Sequence, residues 1–193
     1  MKLISDQVSQ QEIDIILREI CRVNTIPGDI VEMGCYVGTT SLFISEYLKN
    51  TYSNKAFHVY DSFEGLPPKR IQDESPAGTQ FTTGELAVSK SQLIKNYRIG
   101  RLPLPVIHKG WFEVLSPIDM PESISFAFLD GDYYSSIMAC LKLVWPILSK
   151  GAVVVVDDYL SDALPGANKA VTEWLRSHRA KLKTEAGLAI IQL

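Results

Sequence analysis

The chain has 193 residues, 46% of them hydrophobic and 21% charged, with a net charge of −3; at about 150 residues per domain this is one domain, 1–193, large enough for a substantial core. So mild an acidity gives no electrostatic footprint for nucleic acid or an anionic membrane. Three cysteines, Cys21, Cys35 and Cys140, read as reduced thiols, and no apolar leader or run of roughly 18 residues is present, so a cytoplasmic location is expected.

In chain order, Ser9 and Glu12 form an S-x-x-E capping box, and Ile13, Ile16, Leu17 and Ile20 recur at helical spacing. An amphipathic helix is therefore expected within an N-terminal segment, 1–27. Gly28 to Ser41 then reads GDIVEMGCYVGTTS. Ile30 and Val31 suit a strand, Gly34 and Gly38 a tight turn, and Thr39, Thr40 and Ser41 the start of a helix that runs to about Lys49. The first turn of this kind in an open parallel sheet is where an adenosine-containing ligand sits. The spacing Gly34-x-x-x-Gly38 departs from the G-x-G-x-x-G that cradles a pyrophosphate. Glu32 would repel phosphates but suits a ligand that carries an ammonium and a sulfonium, S-adenosylmethionine. The alternative is an ordinary turn beside a sheet-edge glutamate.

Ala56 to Tyr60 forms a second strand ending on Asp61, whose carboxylate would accept from both hydroxyls of a ribose or, alternatively, be a solvated strand end. Residues 62–84 are rich in proline and glycine and read as a long structureless loop, an active-site lid that is mobile without ligand and packs through Phe63, Leu66 and Phe81. A helix with Leu93, Ile94 and Tyr97 on one face stops at Gly100. Pro105 to His108 is a third strand leading into Lys109-Gly110-Trp111-Phe112, where Gly110 and Trp111 stack on adenine or the tryptophan is core at a turn.

Ile124 to Leu129 is apolar throughout, as a strand buried on both faces is, and ends in Asp130-Gly131-Asp132. A helix from Ser135 or Ser136 turns Ile137, Cys140, Leu141, Val144 and Leu148 inward, with Pro146 bending its last turn. Ala152 to Val156 is a fifth strand ending on Asp157-Asp158. A helix over 166–178 and a hairpin turning at Ala186-Gly187 complete the chain. Alternating strands and helices with a terminal hairpin predict a three-layer α/β/α sandwich on a mostly parallel, seven-stranded sheet.

The fourth and fifth strands would be neighbours in that sheet, so Asp130, Asp157 and Asp158 would emerge together. Mutual repulsion makes such a group costly without a cation, and oxygen ligands suit Mg2+. Each acid also has a structural reading as a cap or turn residue. His58, His108 and His178 share no ligand spacing; His108 alone is kept as a candidate base.

VEMGCYVGTTS, VYDSFEGLP, KGWF, FLDGDYYSS and VVDDY, in this order, resemble the macrocin O-methyltransferase family of metal-dependent class I S-adenosylmethionine methyltransferases. The likeness covers nearly all of the chain from Gly28. It implies a Rossmann-like fold, cofactor contacts from Glu32, Gly34, Tyr36, Thr40, Asp61 and its neighbour Ser62, Gly110, Trp111 and Asp130, and Mg2+ on Asp130, Asp157 and Asp158. The similar but more distant catechol-type enzymes place a lysine base three residues after the first metal aspartate; here that position is Tyr133. Asp130, Asp132, Tyr133 and His108 are left as candidate bases. The stretch before the first strand is short for a macrolide-modifying member, which points to another acceptor.

The reading is methyl transfer from S-adenosylmethionine to a hydroxyl of a vicinal pair on a sugar or glycoside, a small-molecule acceptor that would chelate Mg2+. A homo-oligomer is compatible with it. One rival is a metal-dependent glycosyltransferase with Asp130 and Asp132 as its D-x-D, which leaves Glu32 and Asp61 unexplained. The other is a cofactor-binding scaffold without chemistry, which the intact Asp130, Asp157 and Asp158 argue against.

Overall fold

The structure, a computed structural model describing residues 1–193, is a seven-stranded sheet between two layers of helices. The elements are α1 (Gln10–Arg22), β1 (Asp29–Met33), α2 (Thr39–Asn50), β2 (Phe57–Asp61), α3 (Lys90–Gly100), β3 (Val106–Lys109), β4 (Ile124–Leu129), α4 (Tyr134–Val144), β5 (Leu148–Val156), α5 (Pro165–Leu175), β6 (Lys181–Glu185) and β7 (Leu188–Gln192). Spatial order is β3-β2-β1-β4-β5-β7-β6, with the first five strands parallel and β7 antiparallel to both β5 and β6. The predicted sandwich and hairpin are both present. Ala186 and Gly187 take φ of 49° and 88°, the two left-handed residues that a tight two-residue hairpin requires.

Strand alternation divides the core. Val153 and Val155 face the layer of α1, α2 and α3, against Ile16, Ile44 and Leu93, while Val154 and Val156 face α4 and α5, against Ile137, Cys140 and Val171. Both faces of β4 and of the Ala152–Val156 part of β5 are buried, which explains why these runs are largely apolar without alternation. The chain order reverses on either side of β1 and β4, so the carboxyl ends of these two strands form the topological switch point.

Several boundaries differ from expectation for local reasons. Gly100 is the last residue of α3, and Arg101 takes the left-handed cap at φ 53°. The turn at Pro146 is 3-10, and Leu148 opens β5 instead of ending a helix. Helix α5 stops at Leu175, and His178 beyond it stacks on Trp174 at 4.0 Å.

The stretch 62–84 is not structureless. It contains 3-10 turns at Ile71–Asp73 and Pro76–Gly78, and Leu66 packs against Tyr133 and Leu164 with Phe81 and Leu86 alongside. Asp73 is fully buried. Its Oδ1 accepts from Tyr134 N, the first residue of α4, at 2.7 Å, and its Oδ2 accepts from Arg70 N at 3.2 Å. A side chain at Gly166, near the start of α5, would collide with the same carboxylate. One acid thus sits between two helix N-termini, where the helix dipoles favour negative charge. Ser75 Oγ donates to Asp162 O at 2.5 Å, and Tyr133 OH to Phe81 O at 3.0 Å. The segment is tied to the start of both helices.

Asp73→Ala leaves two partly buried amides without their partner, and about 1–3 kcal/mol of stability is expected to be lost in urea unfolding. Limited proteolysis within 62–84 should be faster in the variant than in the parent; equal rates would show that Asp73 does not hold the segment.

Candidate active site

At the switch point the strand ends are locked together by backbone hydrogen bonds. Gly34 N donates to Tyr60 O at 2.8 Å, Asp130 N to Met33 O at 2.8 Å, and Asp157 N to Leu129 O at 2.9 Å. Gly34 has φ 93°, and a Cβ there would run into the Asp130 carbonyl, so glycine is required where the turn meets β4. A cleft, open at its mouth, lies over these ends.

Of the residues expected to touch the cofactor, Gly34, Tyr36, Asp61, Ser62, Gly110, Trp111 and Asp130 line this cleft. Glu32 and Thr40 do not. Glu32 lies on the α2 face of β1, is almost fully buried, and accepts a hydrogen bond from Ser41 Oγ. Burial raises its pKa to about 8, only partly opposed by that bond. Expected to meet the cofactor ammonium, this carboxylate makes a buried bond into the first turn of α2 and is not among the residues that line the cleft.

Asp61 is in the cleft with most of its acceptor capacity in use. Its Oδ2 accepts from Cys35 N at 2.8 Å and Tyr36 N at 3.3 Å, and its Oδ1 from Phe63 N at 2.7 Å. A carboxylate has about four acceptor sites, so one ribose hydroxyl fits where two were expected. The same bonds pin the glycine turn to the end of β2. Tyr36 follows the turn at φ 48°.

The acids converge with one change of membership. Carboxylate oxygens of Asp130, Asp132 and Asp158 lie within 4.8 Å of one another. Asp157, expected as a ligand, lines the cleft but is not in that group; its Oδ1 accepts the Asp158 amide at 2.8 Å, which turns Asp158 toward the others. Asp132 takes its place. Both Asp132 and Asp158 have φ 56°, an unfavourable conformation for a residue with a side chain that here aims two carboxylates at one point. No lysine, arginine or histidine forms an ion pair with any of the four. Burial and mutual repulsion hold Asp130, Asp132 and Asp157 well above the ordinary carboxylate range, and burial pushes Asp158 up to about 6.

Two candidate bases are not in the cleft. Tyr133 is fully buried and its hydroxyl is bonded to Phe81 O, making it a tether for 62–84. His108 stacks on Tyr60 at 4.2 Å and shares a 3.2 Å hydrogen bond with His58; burial lowers its pKa. Neither is a lining residue. Sequence reasoning missed Gln7, which reaches the cleft from the N-terminal segment, and Leu86 and Leu164, which complete an apolar wall with the expected Leu66 and Phe81. Leu66 and Phe81 carried a signal as apolar residues in an otherwise polar loop; Gln7, Leu86 and Leu164 carried none.

Parallel strands reversing over a glycine turn, with this hairpin, define the Rossmann-like methyltransferase fold. The O-methyltransferase NovP has the same fold, with a TM-score of 0.77 and 26% identity over 93% of this chain and 77% of that one. Residues 8–188 match the macrocin O-methyltransferase (TylF) family model, and the chain belongs to that family. It is 35% identical over 147 residues to 8-demethyl-8-(2,3-dimethoxy-alpha-L-rhamnosyl)-tetracenomycin-C 4'-O-methyltransferase of Streptomyces olivaceus, covering 72% of this chain and 55% of that protein. With mycinamicin III 3''-O-methyltransferase of Micromonospora griseorubida it shares 30% identity over 162 residues, 79% of this chain and 62% of the relative. The chain thus spans little more than half the length of these relatives. No helix is long and apolar enough to cross a membrane.

The raised carboxylate pKa values carry a sign. An acid that binds protons more tightly when folded contributes stability below its ordinary pKa of 3.8 and loses it as pH rises, for Asp158 through about 6. Metal-free protein is therefore expected to melt at a higher temperature near pH 5 than near pH 8. The difference should shrink in Asp158→Asn; a parent with the opposite slope would mean that the acids are not crowded.

Proposed function

We propose that this chain is an S-adenosylmethionine-dependent O-methyltransferase acting on a hydroxyl of a sugar or glycoside. The observation that carries this is one cleft shared by the glycine turn and the carboxylate group, with Asp130 touching both. Gly34, Tyr36, Asp61, Ser62, Gly110 and Trp111 fit the cofactor: a turn without room for a side chain, an acceptor left on Asp61, and an aromatic ring at the strand edge. S-adenosylmethionine supplies an electrophilic methyl group when bound. Three oxygen donors without a cationic partner fit a hard divalent ion. Mg2+ would be held by Asp130, Asp132 and Asp158, and when bound it supplies charge that acidifies an acceptor hydroxyl.

The protein's own residues do the rest. Asp157 orients Asp158 through its amide, and the apolar wall of Leu66, Phe81, Leu86 and Leu164 shields the reacting oxygen from water. With Tyr133 and His108 outside the cleft, Asp130 and Asp132 are the candidates that can take the hydroxyl proton, and the charge a bound ion supplies would lower the demand on either. The segment 62–84 acts as the wall of the acceptor site. Membership in an O-methyltransferase family weighs against the glycosyltransferase reading of Asp130 and Asp132.

S-adenosylhomocysteine should bind the metal-free protein in calorimetry, and Asp61→Ala should weaken it by about 1–3 kcal/mol. Asp132→Asn should lower methyl transfer to a sugar acceptor by about 10²–10⁴-fold with cofactor affinity retained. Chelation with EDTA should abolish turnover and Mg2+ restore it. Full activity in EDTA would remove the metal from this proposal; absent cofactor binding would remove the proposal itself.

A further inference from the structure

We infer that Ser136 reads the base of the cofactor, its hydroxyl accepting from the exocyclic amino group of adenine while the free backbone amides around it donate to the ring nitrogens. This rests on the methyl-transfer reading above and adds to it a residue that carried no functional signal in the sequence. Ser136 lies in the first turn of α4, lines the cleft and is only 3% exposed, yet its Oγ has no hydrogen-bond partner within the protein. Its neighbours differ in this respect. Tyr133 OH is bonded to Phe81 O, Tyr134 N to Asp73 and Tyr134 OH to Glu173. Buried hydroxyls are ordinarily paired, so one left bare at the wall of a cleft points to a ligand.

The backbone beside it is bare as well. The amides of Gly131, Asp132 and Ser136 have no partner in the protein, whereas that of Asp130 is bonded to Met33 O. Gly131 packs on the same serine: a Cβ there would come within 3.0 Å of Ser136 Cβ and 3.5 Å of Phe112 Cε2. Ser136, Gly131 and the Trp111-Phe112 pair therefore bound one corner of the cleft. Gly110 N donates to Asp61 O at 2.9 Å, so this corner adjoins the acid that fits the ribose. Leu66 and Leu164 pack with Tyr133 in a different cluster from Phe112 and Ile137, which keeps the apolar wall apart from it.

The corner thus holds three groups that can only donate, one hydroxyl that can donate or accept, and aromatic rings. Asp130 and Asp132 flank Gly131 in the chain and disfavour an anion there. A neutral heterocycle with bare ring nitrogens meets no such penalty. Adenine offers ring nitrogens as acceptors and one exocyclic amino group as donor. Oxygens of Asp130, Asp132 and Asp158 are turned toward one another, within 4.8 Å, which leaves the Ser136 hydroxyl to take the amino group. Stacking on an aromatic side chain and hydrogen bonding along one edge is how proteins hold a single base.

The test titrates two ligands into the metal-free protein by calorimetry: S-adenosylhomocysteine, and its analogue with unsubstituted purine as the base, which keeps the ring nitrogens and lacks the amino group. The parent should bind the analogue about three- to tenfold more weakly, the worth of one hydrogen bond. Ser136→Ala should weaken S-adenosylhomocysteine by a similar factor and bind the two ligands alike, because the amino group has lost its partner. Ser136→Cys, which keeps the volume with a weaker acceptor, should follow Ser136→Ala. Without ligand both variants should melt at or above the parent's temperature, since the hydroxyl removed is unpaired in the free protein. A clear fall in melting temperature would assign the hydroxyl to the fold and overturn the inference, as would variants that keep the parent's preference for adenine. Failure of the parent to bind S-adenosylhomocysteine removes the methyltransferase reading together with this one, whereas equal binding by parent and variants removes this one alone.

Discussion

The crowding of four aspartates at the ends of β4 and β5 is the constraint that the rest of the site answers. None has a cationic partner, and three have carboxylate oxygens within 4.8 Å of one another. Such a group would splay apart if its loops were free, since like charges in a half-buried place repel strongly. The loops are not free. Asp130 is bonded to β1 through its amide, Asp157 holds the Asp158 amide, and Asp73 secures the helix that follows Asp132. The backbone holds the acids together against their own repulsion, which is the condition for a cation site and for a base with a raised proton affinity.

Asp61 and Asp73 solve a related problem from outside the group. Each places a carboxylate over backbone amides that would otherwise be unpaired, Asp61 at the glycine turn in the cleft and Asp73 between α4 and α5. A buried amide without a partner is costly, so these bonds stabilise the loops.

Much of the fold was legible in the sequence because its signals are local. The apolar runs Ile124–Leu129 and Ala152–Val156, the glycine turn and the Ala186-Gly187 hairpin each depend on residues a few positions apart. The site was legible only in part. Its cofactor turn and strand-end acids follow from topology, but Glu32 was assigned to the ligand and instead bonds Ser41 Oγ, because strand alternation turns it under α2. His108 and Tyr133 were kept as bases on chemistry alone, and packing sends both elsewhere.

By itself the sequence determined the order of strands and helices, the sheet they build and the edge at which the acids emerge, since periodicity and turn chemistry act over a few residues. Only the tertiary structure decided which three aspartates meet. That depends on left-handed corners at Asp132 and Asp158 and on a hydrogen bond within the Asp157-Asp158 pair. It also decided that the stretch 62–84 is a fastened wall, because Asp73 finds its partners 61 residues away, at a helix start brought near only when the sheet has formed.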